Sequence, residues 1–428
     1  MGGGVDVPRS SSYPMVEVPA AVDIVLSQAE RVLEGEHVEL EEVADRVLFE
    51  DVLAQGDVPP FRASIKDGYA VVQAEGPGIY DVSGEVTAGR QSHTAVGNGK
   101  VVYVTTGAPV PDEADAVVQV EWTKPAEEPG KIEIITGAPK VGHDIRPVGT
   151  DVKKGQTILS AREEVHMAEV GLLATCNVRN VPVYKNARVA VLSTGDELVE
   201  AGGELGFGKI VDSNRPMLLA AVGSVGGIPV DLGIATDEEQ AVTSAFMEAM
   251  LKSDVLITSG GVSMGNKDFI KPLLARYGTV HFGRVMMKPG KPLTFATIEP
   301  NAFSEGVPSS RKLVIGLPGN PVSCFVCFHL VVSPLIRKLS GFRSPHNPRV
   351  MVRTKMELKL DPERPEYHRA LVSWDVGQRA LTAVTTGIQA SSRLLSARSA
   401  NGLLVLPRAD RTLPVGEEVE AILIGQIL

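Results

Sequence analysis

The sequence predicts a multidomain protein that combines an α/β domain with separate β units. With 428 residues, the chain is roughly two to four times as long as a common domain, so several cores are expected. Continuous apolar runs that end in Gly/Ser/Thr/Asp loops indicate buried parallel strands, whereas short Val/Ile segments between Gly/Pro turns indicate β units. Glycine (43) and proline (29) are plentiful while 43% of the residues are hydrophobic, which indicates a globular protein with many tight turns.

The N-terminal part divides into three predicted elements. Residues 1–14 lack an apolar signal core and are predicted to be a flexible leader. Apolar spacing predicts amphipathic helices from Val16 to Leu53 and again from Val165 to Ala174. The short strands between these segments resemble a small β-barrel or sandwich. We therefore predict a helical linker subdomain of residues 15–56 and 148–187, with a β subdomain of residues 57–147 inserted into it.

Alternating strands and helices follow over residues 188–340. Four apolar runs, each placed before a polar loop, predict a parallel sheet there. The last stretch, residues 341–428, again has short strands and is predicted to be a separate all-β domain.

Composition excludes several classes of protein. The net charge of −10 opposes nonspecific binding to nucleic acid or to an anionic membrane, and 5% aromatic residues make base stacking a poor hypothesis. The apolar stretch from Phe325 to Ile336 is shorter than the roughly 20 residues that span a bilayer. We expect no membrane span, no nucleic acid partner and a cytosolic, cytoplasmic location.

The three cysteines, Cys176, Cys324 and Cys327, are too few for a disulfide framework. The last two form a CxxC pair inside an apolar stretch, without a second pair to complete a zinc site. We predict that they pack inside a buried helix under reducing conditions.

Three glycine-rich loops come directly after predicted strands. Because ligands bind outside the carboxyl ends of parallel strands, we expect the loops to share one edge of the sheet and to form a phosphate cradle. The alternative is that the glycines only permit tight turns. The sequence has neither a P-loop nor GxGxxG after a strand, so it does not support an ATPase or a dinucleotide-binding enzyme. The candidate binding residues are Ser193, Thr194, Gly195, Gly260, Gly261, Pro318, Gly319 and Asn320.

Carboxylates gather near the same edge. Glu197, Asp212 and Asp268 offer the hard oxygen ligands that Mg²⁺ requires beside phosphates, so their grouping predicts a metal site. Taken alone, Asp212 is equally well explained as a helix N-cap and Glu197 as a solvated acid.

A Pro/Gly-stiffened turn carries Lys288 and Lys291, which we predict to hold one oxyanion; the alternative is a solvent-exposed loop. Arg369 and the polar run around Ser399 are further candidate anion donors, whereas His368 has no metal-spaced histidine partner and is predicted to be structural.

Nine ordered motifs carry a family resemblance: PPFRASIKDGYAV, VTTGAPVPDEADAVVQVE, STGDEL, VDSNR, TSGGVSMGNKD, MKPGKPLTFA, LPGNPVSC, PEYHRA and SSRLLSARSANGLL. From about Val16 to the C-terminus, the chain resembles the molybdenum insertases, the family of bacterial MoeA, the plant insertase E domain and the E domain of animal gephyrin. The resemblance implies four subdomains: the helical linker unit, the inserted β unit, a MogA-like (molybdopterin adenylyltransferase-like) α/β domain and a C-terminal β-barrel. It also implies a homodimer with its cleft between subunits.

The activity implied by the resemblance is that of a molybdopterin molybdenumtransferase. Molybdate is inserted into adenylylated molybdopterin with the help of Mg²⁺, and AMP and the molybdenum cofactor are released. An adenylyltransferase protein or domain would supply the substrate. A gephyrin-like scaffold that binds receptor peptides and an inactive adenylyltransferase-like paralogue are the alternatives.

Residue roles are also implied by the resemblance. Glu197, Asp212 and Asp268, with Ser263 beside them, match the carboxylates that hold metal and nucleotide phosphate. The resemblance implies a catalytic role for Asp268, Asp212, Lys288, Lys291 and Ser263. Asn266, Val211 and Arg62 depart from the family pattern, and Asn266 removes one charge from its loop. The positions matched to molybdate and pterin phosphate are Lys288, Lys291, Pro292, Arg369 and Ser399, and those matched to a role across the subunit interface are Ser64, Lys66, Asp67 and Thr106.

Overall fold

The computed structural model describes residues 15–29, 33–89, 95–261, 269–303 and 307–428. The predicted leader, residues 1–14, and the candidate positions Ser263, Asn266 and Asp268 lie outside the described residues. The chain divides into two compact units, His37–Val183 and the remainder, and each is treated by itself.

The elements are numbered in chain order. Up to residue 184 they are β1 (Met15–Glu17), α1 (Val18–Ala29), β2 (Gly35–Glu39), β3 (Val52–Leu53), β4 (Ala63–Ser64), β5 (Gly68–Val71), β6 (Gly78–Val86), β7 (Lys100–Val104), β8 (Ala116–Gln119), β9 (Thr123–Pro125), β10 (Lys131–Ile134), β11 (Ile145–Arg146), β12 (Thr157–Leu159), α2 (Met167–Thr175) and β13 (Asn180–Tyr184). From residue 188 they are β14 (Arg188–Thr194), β15 (Leu198–Val199), β16 (Ile210–Val211), α3 (Asn214–Ser224), β17 (Ile228–Ala235), α4 (Glu239–Lys252), β18 (Val255–Ser259), α5 (Ile270–Tyr277), β19 (Thr279–Phe282), β20 (Arg284–Met286), β21 (Thr294–Ile298), β22 (Lys312–Leu317), α6 (Pro321–Cys327), α7 (Ser333–Leu339), β23 (Arg349–Thr354), β24 (Leu358–Lys359), β25 (Glu366–Asp375), β26 (Ala380–Thr385), β27 (Gly402–Leu406), β28 (Thr412–Leu413) and β29 (Glu418–Leu423).

The smaller unit contains a six-stranded sheet in the order β8-β5-β7-β6-β10-β9. Valines 102 and 104 on one face and Val101 and Val118 on the other are buried in two separate apolar clusters, so the sheet has a core on both sides. These strands form an open sheet, whereas the sequence suggested a barrel or sandwich. The helix predicted near Val165 is confirmed as α2.

The prediction of helices from Val16 to Leu53 is wrong for the second half of this segment. Residues 38–53 instead form the end of β2, a 3₁₀ turn and β3. Asp45 has a φ of 61°, which a right-handed helix does not permit. The N–H groups of Asp45 and Leu48 donate to the carbonyls of Val165 and Glu163 at 2.8 and 2.9 Å. Pairing with a distant segment has therefore overridden the helical spacing of the apolar residues.

The α/β sheet of the larger unit has the order β17-β14-β18-β22-β21-β19. The first four strands are parallel, and β21 and β19 extend the sheet in antiparallel pairs. These four parallel strands are the apolar runs from which the sheet was predicted, and that prediction is confirmed. Buried aliphatic side chains cover both faces of β14 and β18.

Helix α1 packs into the core of the α/β sheet. Its buried residues Val18, Val22 and Val25 belong to the same apolar cluster as Val189 and Ile257 on the sheet strands. The described residues up to Glu36 therefore group with residues 184–428. The predicted domain boundaries stay predictions.

The C-terminal segment forms a closed barrel in the order β23-β26-β25-β27-β29, as the family resemblance implied. Before it, α6, a π-helical segment (Phe328–Val332) and α7 run on as one helix, Pro321–Leu339. This helix is longer than the predicted apolar stretch, and its 19 residues would suffice to cross a bilayer. However, 78% of its most apolar window is buried inside the protein, as expected for a core helix.

Candidate active site at the carboxyl edge of the α/β sheet

The three glycine-rich loops meet at one edge of the sheet, as predicted. Ser193 at the end of β14 lies in register with Ser259 of β18, which in turn lies in register with Leu317 of β22. Gly260 and Gly261 have φ angles of +85° and +64°, and a Cβ on either would lie 2.9 Å from an oxygen of Thr194. Both glycines are therefore required by the backbone and by the close approach of the first loop.

Asn214, the first residue of α3, joins the second and third loops. Its Nδ2 donates to the Ser259 hydroxyl at 2.7 Å and to the Gly319 carbonyl at 2.8 Å. Ser259 Oγ also lies 3.7 Å from the thiol of Cys324, which donates to the Pro318 carbonyl at 2.9 Å. The loops are thus held by polar contacts that run beneath them.

Several polar atoms at this edge are buried without a hydrogen-bond partner among the described residues. Three are hydroxyls of β14 and β18 and one is an amide oxygen of α3, and burying such an atom unpaired costs about 1–3 kcal/mol. A site that binds a polar ligand or ordered water satisfies them. The atoms are Ser193 Oγ, Thr194 Oγ1, Thr258 Oγ1 and Asn214 Oδ1.

The CxxC cysteines are packing residues, as predicted. Cys324 and Cys327 are fully buried in α6. Burial raises the pKa of the Cys324 thiol to about 12 and also raises the pKa of Cys327 well above its usual value. Both therefore remain protonated at neutral pH.

Asp212 is buried at the start of α3. Its Oδ1 accepts hydrogen bonds from the N–H groups of Asn214 and Arg215 at 3.1 and 3.2 Å. Its Oδ2 accepts one from the guanidinium of Arg215 at 3.3 Å. These contacts favour the helix-cap interpretation of Asp212, while its roles in catalysis and metal binding stay predictions.

Arg215 is a residue of this site that the sequence analysis missed. Its side chain is 9% exposed, and the guanidinium contacts Asp212, Glu200 and Asp231. Burial alone would lower the pKa of Arg215, but the hydrogen bond to Asp231 and the three carboxylate charges outweigh burial and raise it. The motif VDSNR could have indicated this role, because it places Asp212 near Arg215 and a buried arginine requires acidic partners.

Glu197 is exposed, and its carboxylate lies against Gly195. A Cβ on Gly195 would lie 2.5 Å from Glu197 Oε2, the end of an exposed side chain, and it is the φ of +148° at Gly195 that disfavours other residues. The parallel pairing of β15 with β16 places Glu197 before the first pair and Asp212 after the last. Among the described residues no group of three His, Cys, Asp or Glu side chains could hold a metal ion, and the predicted magnesium site, which includes Asp268, stays a prediction.

The lysine turn joins the α/β domain to the barrel. Lys288 Nζ lies 3.2 Å from Asp361 and 3.0 Å from Glu366. Lys291 is exposed, and it makes no ion pair with any side chain in the part of the chain that the structure describes. Gly290 has a φ of +107°, and a Cβ there would lie 2.5 Å from Cys327 Sγ, so Cys327 packs directly beneath the turn.

The barrel candidates differ in exposure. Ser399 is exposed, whereas Arg369 is completely buried and donates to Ser396 Oγ from Nη2 at 3.0 Å. Burial lowers the pKa of Arg369 to about 10, and its Nη1 has no partner among the described residues. The Val322 N–H donates to the Ser391 carbonyl at 3.0 Å, so the polar run lies beside the third loop.

His368 has the structural role that was predicted. It is buried, with Nδ1 3.1 Å from Glu366 and Nε2 2.9 Å from Thr385 Oγ1.

A second polar cluster lies in the smaller unit. Asp67 Oδ1 accepts hydrogen bonds from the Thr106 N–H at 2.7 Å and from its hydroxyl at 3.0 Å, and these bonds lower the pKa of Asp67. The Ser64 hydroxyl donates to the Lys66 carbonyl at 2.6 Å. Ser64, Lys66, Asp67 and Thr106 therefore form one local group, and their predicted role across a subunit interface stays a prediction.

Three family models match consecutive parts of the chain. They are the MoeA N-terminal region (domain I and II) over residues 16–177, a probable molybdopterin binding domain over residues 190–338 and the MoeA C-terminal region (domain IV) over residues 351–424.

Relatives align over nearly the whole chain. The chain is 40% identical to gephyrin of Dictyostelium discoideum over 98% of its length, and it spans 64% of that protein. It is 33% identical to the molybdopterin molybdenumtransferase of Haemophilus influenzae, with 95% of this chain and 98% of the relative aligned. The crystal structure of a MoeA protein from Pyrococcus horikoshii matches with a TM-score of 0.78 and 28% identity, covering 96% of this chain and 99% of that one.

Proposed function

The chain belongs to the MoeA family of molybdenum cofactor biosynthesis proteins, and we propose from this premise that it is a molybdopterin molybdenumtransferase. Its substrates would be molybdate and adenylylated molybdopterin, and its products AMP and the molybdenum cofactor. The observation that carries the proposal is the meeting of three strand-end loops around buried hydroxyl and amide oxygens that have no partner among the described residues.

The carboxyl edge of the sheet suits an adenylylated substrate. Gly260 and Gly261 let their loop pack closely against Thr194 of the first loop, which fixes the backbone at the edge where we place the phosphate. The unpartnered hydroxyls of Ser193 and Thr194 add donors that a phosphate oxygen accepts. Holding the substrate rigidly in this way lowers the entropic part of the barrier.

The lysine turn suits molybdate, a dianion. Lys291 is exposed on a turn that Gly290 and Cys327 fix by close packing, so a bound oxyanion would not have to order the turn. Pro292 and Ser399 are the neighbouring positions that we assign to the same ligand. The buried guanidinium of Arg369 would donate a hydrogen bond to the same oxyanion through its unpartnered Nη1.

Mg²⁺ is the metal that we propose for the reaction. Glu197, with a carboxylate exposed at the sheet edge, and Asp268 are the residues that would hold it, beside Ser263. Asp212 fits less well because both of its oxygens already accept from α3 and Arg215. When bound beside a phosphoanhydride, Mg²⁺ withdraws charge from the phosphate oxygens.

A homodimer completes the proposed site. The group of Ser64, Lys66, Asp67 and Thr106 is preorganised by its own hydrogen bonds, and in a dimer it would face the substrate held by the other subunit. An adenylyltransferase would supply the adenylylated substrate, and the reaction would take place in the cytosol.

The assay supplies the purified chain with adenylylated molybdopterin, molybdate and Mg²⁺ and measures AMP. We expect AMP release that stops when molybdate is omitted. Absence of AMP above background, or release that is indifferent to molybdate, would refute the proposal. The alternative scaffold role is tested separately by a pull-down with a receptor loop peptide.

A further inference from the structure

Two carboxylates from the C-terminal domain enclose the ammonium of Lys288. Asp361 Oδ2 lies 3.2 Å from Nζ and Glu366 Oε2 lies 3.0 Å from it. The side chains of Asp361 and Glu366 are only 14% and 7% exposed, whereas Lys288 is 37% exposed. One cation is thus matched by two largely buried anions, which is more negative charge than an ion pair requires.

Backbone hydrogen bonds join the same two segments, the lysine turn and the start of β25. The Lys288 N–H donates to the Pro365 carbonyl at 2.9 Å, and the Tyr367 N–H donates to the Lys288 carbonyl at 2.8 Å. The lysine turn is therefore attached to the first residues of β25 by two hydrogen bonds and two ion pairs. Attachment at several points restricts the turn far more than one exposed ion pair would.

The charges around Lys288 do not favour direct binding of an oxyanion there. Its pKa is raised, since hydrogen bonds and charge from Glu366 and Asp361 outweigh the opposing effect of burial. The pKa values of Asp361 and Glu366 are both lowered against the effect of burial. Hydrogen bonds from the Glu363 and Arg364 N–H groups and then from Lys288 lower that of Asp361, and hydrogen bonds with His368 and then Lys288 lower that of Glu366. All three groups are therefore charged at neutral pH, and two carboxylates already share the single positive charge of Lys288, which leaves little of it for a dianion.

Lys291 stands in a different setting on the same turn. It is exposed and has no ion-pair partner among the described residues. Its carbonyl accepts a hydrogen bond from the Val285 N–H at 2.9 Å, so the turn closes on itself at this residue. Because the turn is held in place at Lys288, the exposed ammonium group of Lys291 is available to bind an anion.

We propose that Asp361 and Glu366 are positioning residues that use Lys288 as a tether, so that Lys291 is the lysine that contacts the substrate oxyanion. This inference rests on the proposed function, because that function names molybdate as the anion. It assigns different roles to the two lysines and brings two acidic residues of the C-terminal domain into the site.

The tether makes a prediction opposite to that of simple electrostatics. If Asp361 and Glu366 acted only through their charge, their neutralisation would strengthen molybdate binding by removing repulsion. If they act by holding the turn, neutralisation weakens binding, since the loosened turn must be ordered again when the ligand binds. Glu366→Gln and Asp361→Asn retain the shapes of the side chains and separate the two cases.

The experiment uses the full chain and molybdate alone as the probe, with two readouts. Calorimetry gives the dissociation constant for molybdate, and hydrogen exchange gives the protection of residues 285–293. For both variants we expect roughly tenfold weaker molybdate binding and roughly tenfold faster exchange in that segment. The matched control is Glu418→Gln, which removes an exposed barrel carboxylate that pairs with Arg353, and it should change neither readout.

The outcomes distinguish this inference from the proposed function. Unchanged exchange in both variants, tighter molybdate binding, or no molybdate binding by the unmodified chain would each overturn the tether. If the unmodified chain binds molybdate and the variants behave as expected, but no AMP is released in the assay above, the proposed function fails while the tether stands.

Discussion

Asn214 uses one side-chain amide to join two loops of the candidate active site. Its two acceptors, Ser259 Oγ and the Gly319 carbonyl, lie 45 and 105 residues away along the chain. Nothing local in VDSNR could predict these contacts, because they exist only once β14, β18 and β22 are side by side. Asp212 stands out in this motif because a carboxylate is a common catalytic group and metal ligand, whereas the importance of a connecting amide is visible only in the folded chain.

Replacing Asn214 should loosen both loops. We expect Asn214→Ala to lower the free energy of unfolding by about 1–3 kcal/mol, since it leaves buried acceptors unpaired. Urea denaturation measures the change, and Asn180→Ala, at the exposed first position of β13, is the control. Equal midpoints for Asn214→Ala and the unmodified chain would show that the amide does not support the loops.

His329 gives the protein a predicted acid sensitivity. Burial, aided by the charge of Arg337, lowers its pKa to about 4 from the ordinary histidine value of 6.5. Because the folded state disfavours the protonated ring, the stability that depends on the neutral ring is complete above pH 6.5 and is lost as the pH falls toward 4. At pH 5 the loss is about 2 kcal/mol for this group.

The test compares urea midpoints at pH 7 and pH 5. His329→Gln should lose less stability than the unmodified chain over this interval, and His346→Gln, at an exposed position, should lose the same amount as the unmodified chain. An identical pH dependence for all three proteins would contradict the assigned cause.

Close packing of Gly290 against Cys327 and Met287 fixes the conformation of the lysine turn. Gly290→Ala would force a Cβ to 2.5 Å from Cys327 Sγ and 2.9 Å from Met287 Cε at a φ of +107°. We expect a loss of about 1–3 kcal/mol in the free energy of unfolding together with weaker molybdate binding. Gly319→Ala is the matched control for stability, because a Cβ there meets nothing within 4 Å. Similar thermal midpoints for both variants would contradict the packing argument.

Secondary structure was predicted correctly where the hydrophobic pattern of a segment and its tertiary contacts favour the same element. The four parallel strands were predicted because both faces of the sheet are covered, which makes their sequences continuously apolar. Residues 38–53 failed because their apolar side chains also suit a helix, and pairing with the segment near Val165 decided otherwise. The charged partners of Lys288 could not be predicted, since Asp361 and Glu366 lie in another domain and more than seventy residues away.

The molecule as a whole consists of two compact units, His37–Val183 and the remainder. The apolar clusters that include Val43, Val102 and Val101 consist only of residues between positions 37 and 183. A segment with its own cores should fold alone. We expect residues 37–183, expressed separately, to show a cooperative thermal transition by circular dichroism. A transition without cooperativity would show that the smaller unit depends on the rest of the chain.

The central claim is that this chain transfers molybdenum to an adenylylated pterin. The most direct measurement is the ratio of molybdenum transferred to AMP released in a single turnover, with molybdenum determined on the isolated pterin product. We expect one molybdenum atom per AMP. AMP released without molybdenum on the pterin would mean that the site only hydrolyses the substrate, and it would contradict molybdenum transfer by this chain.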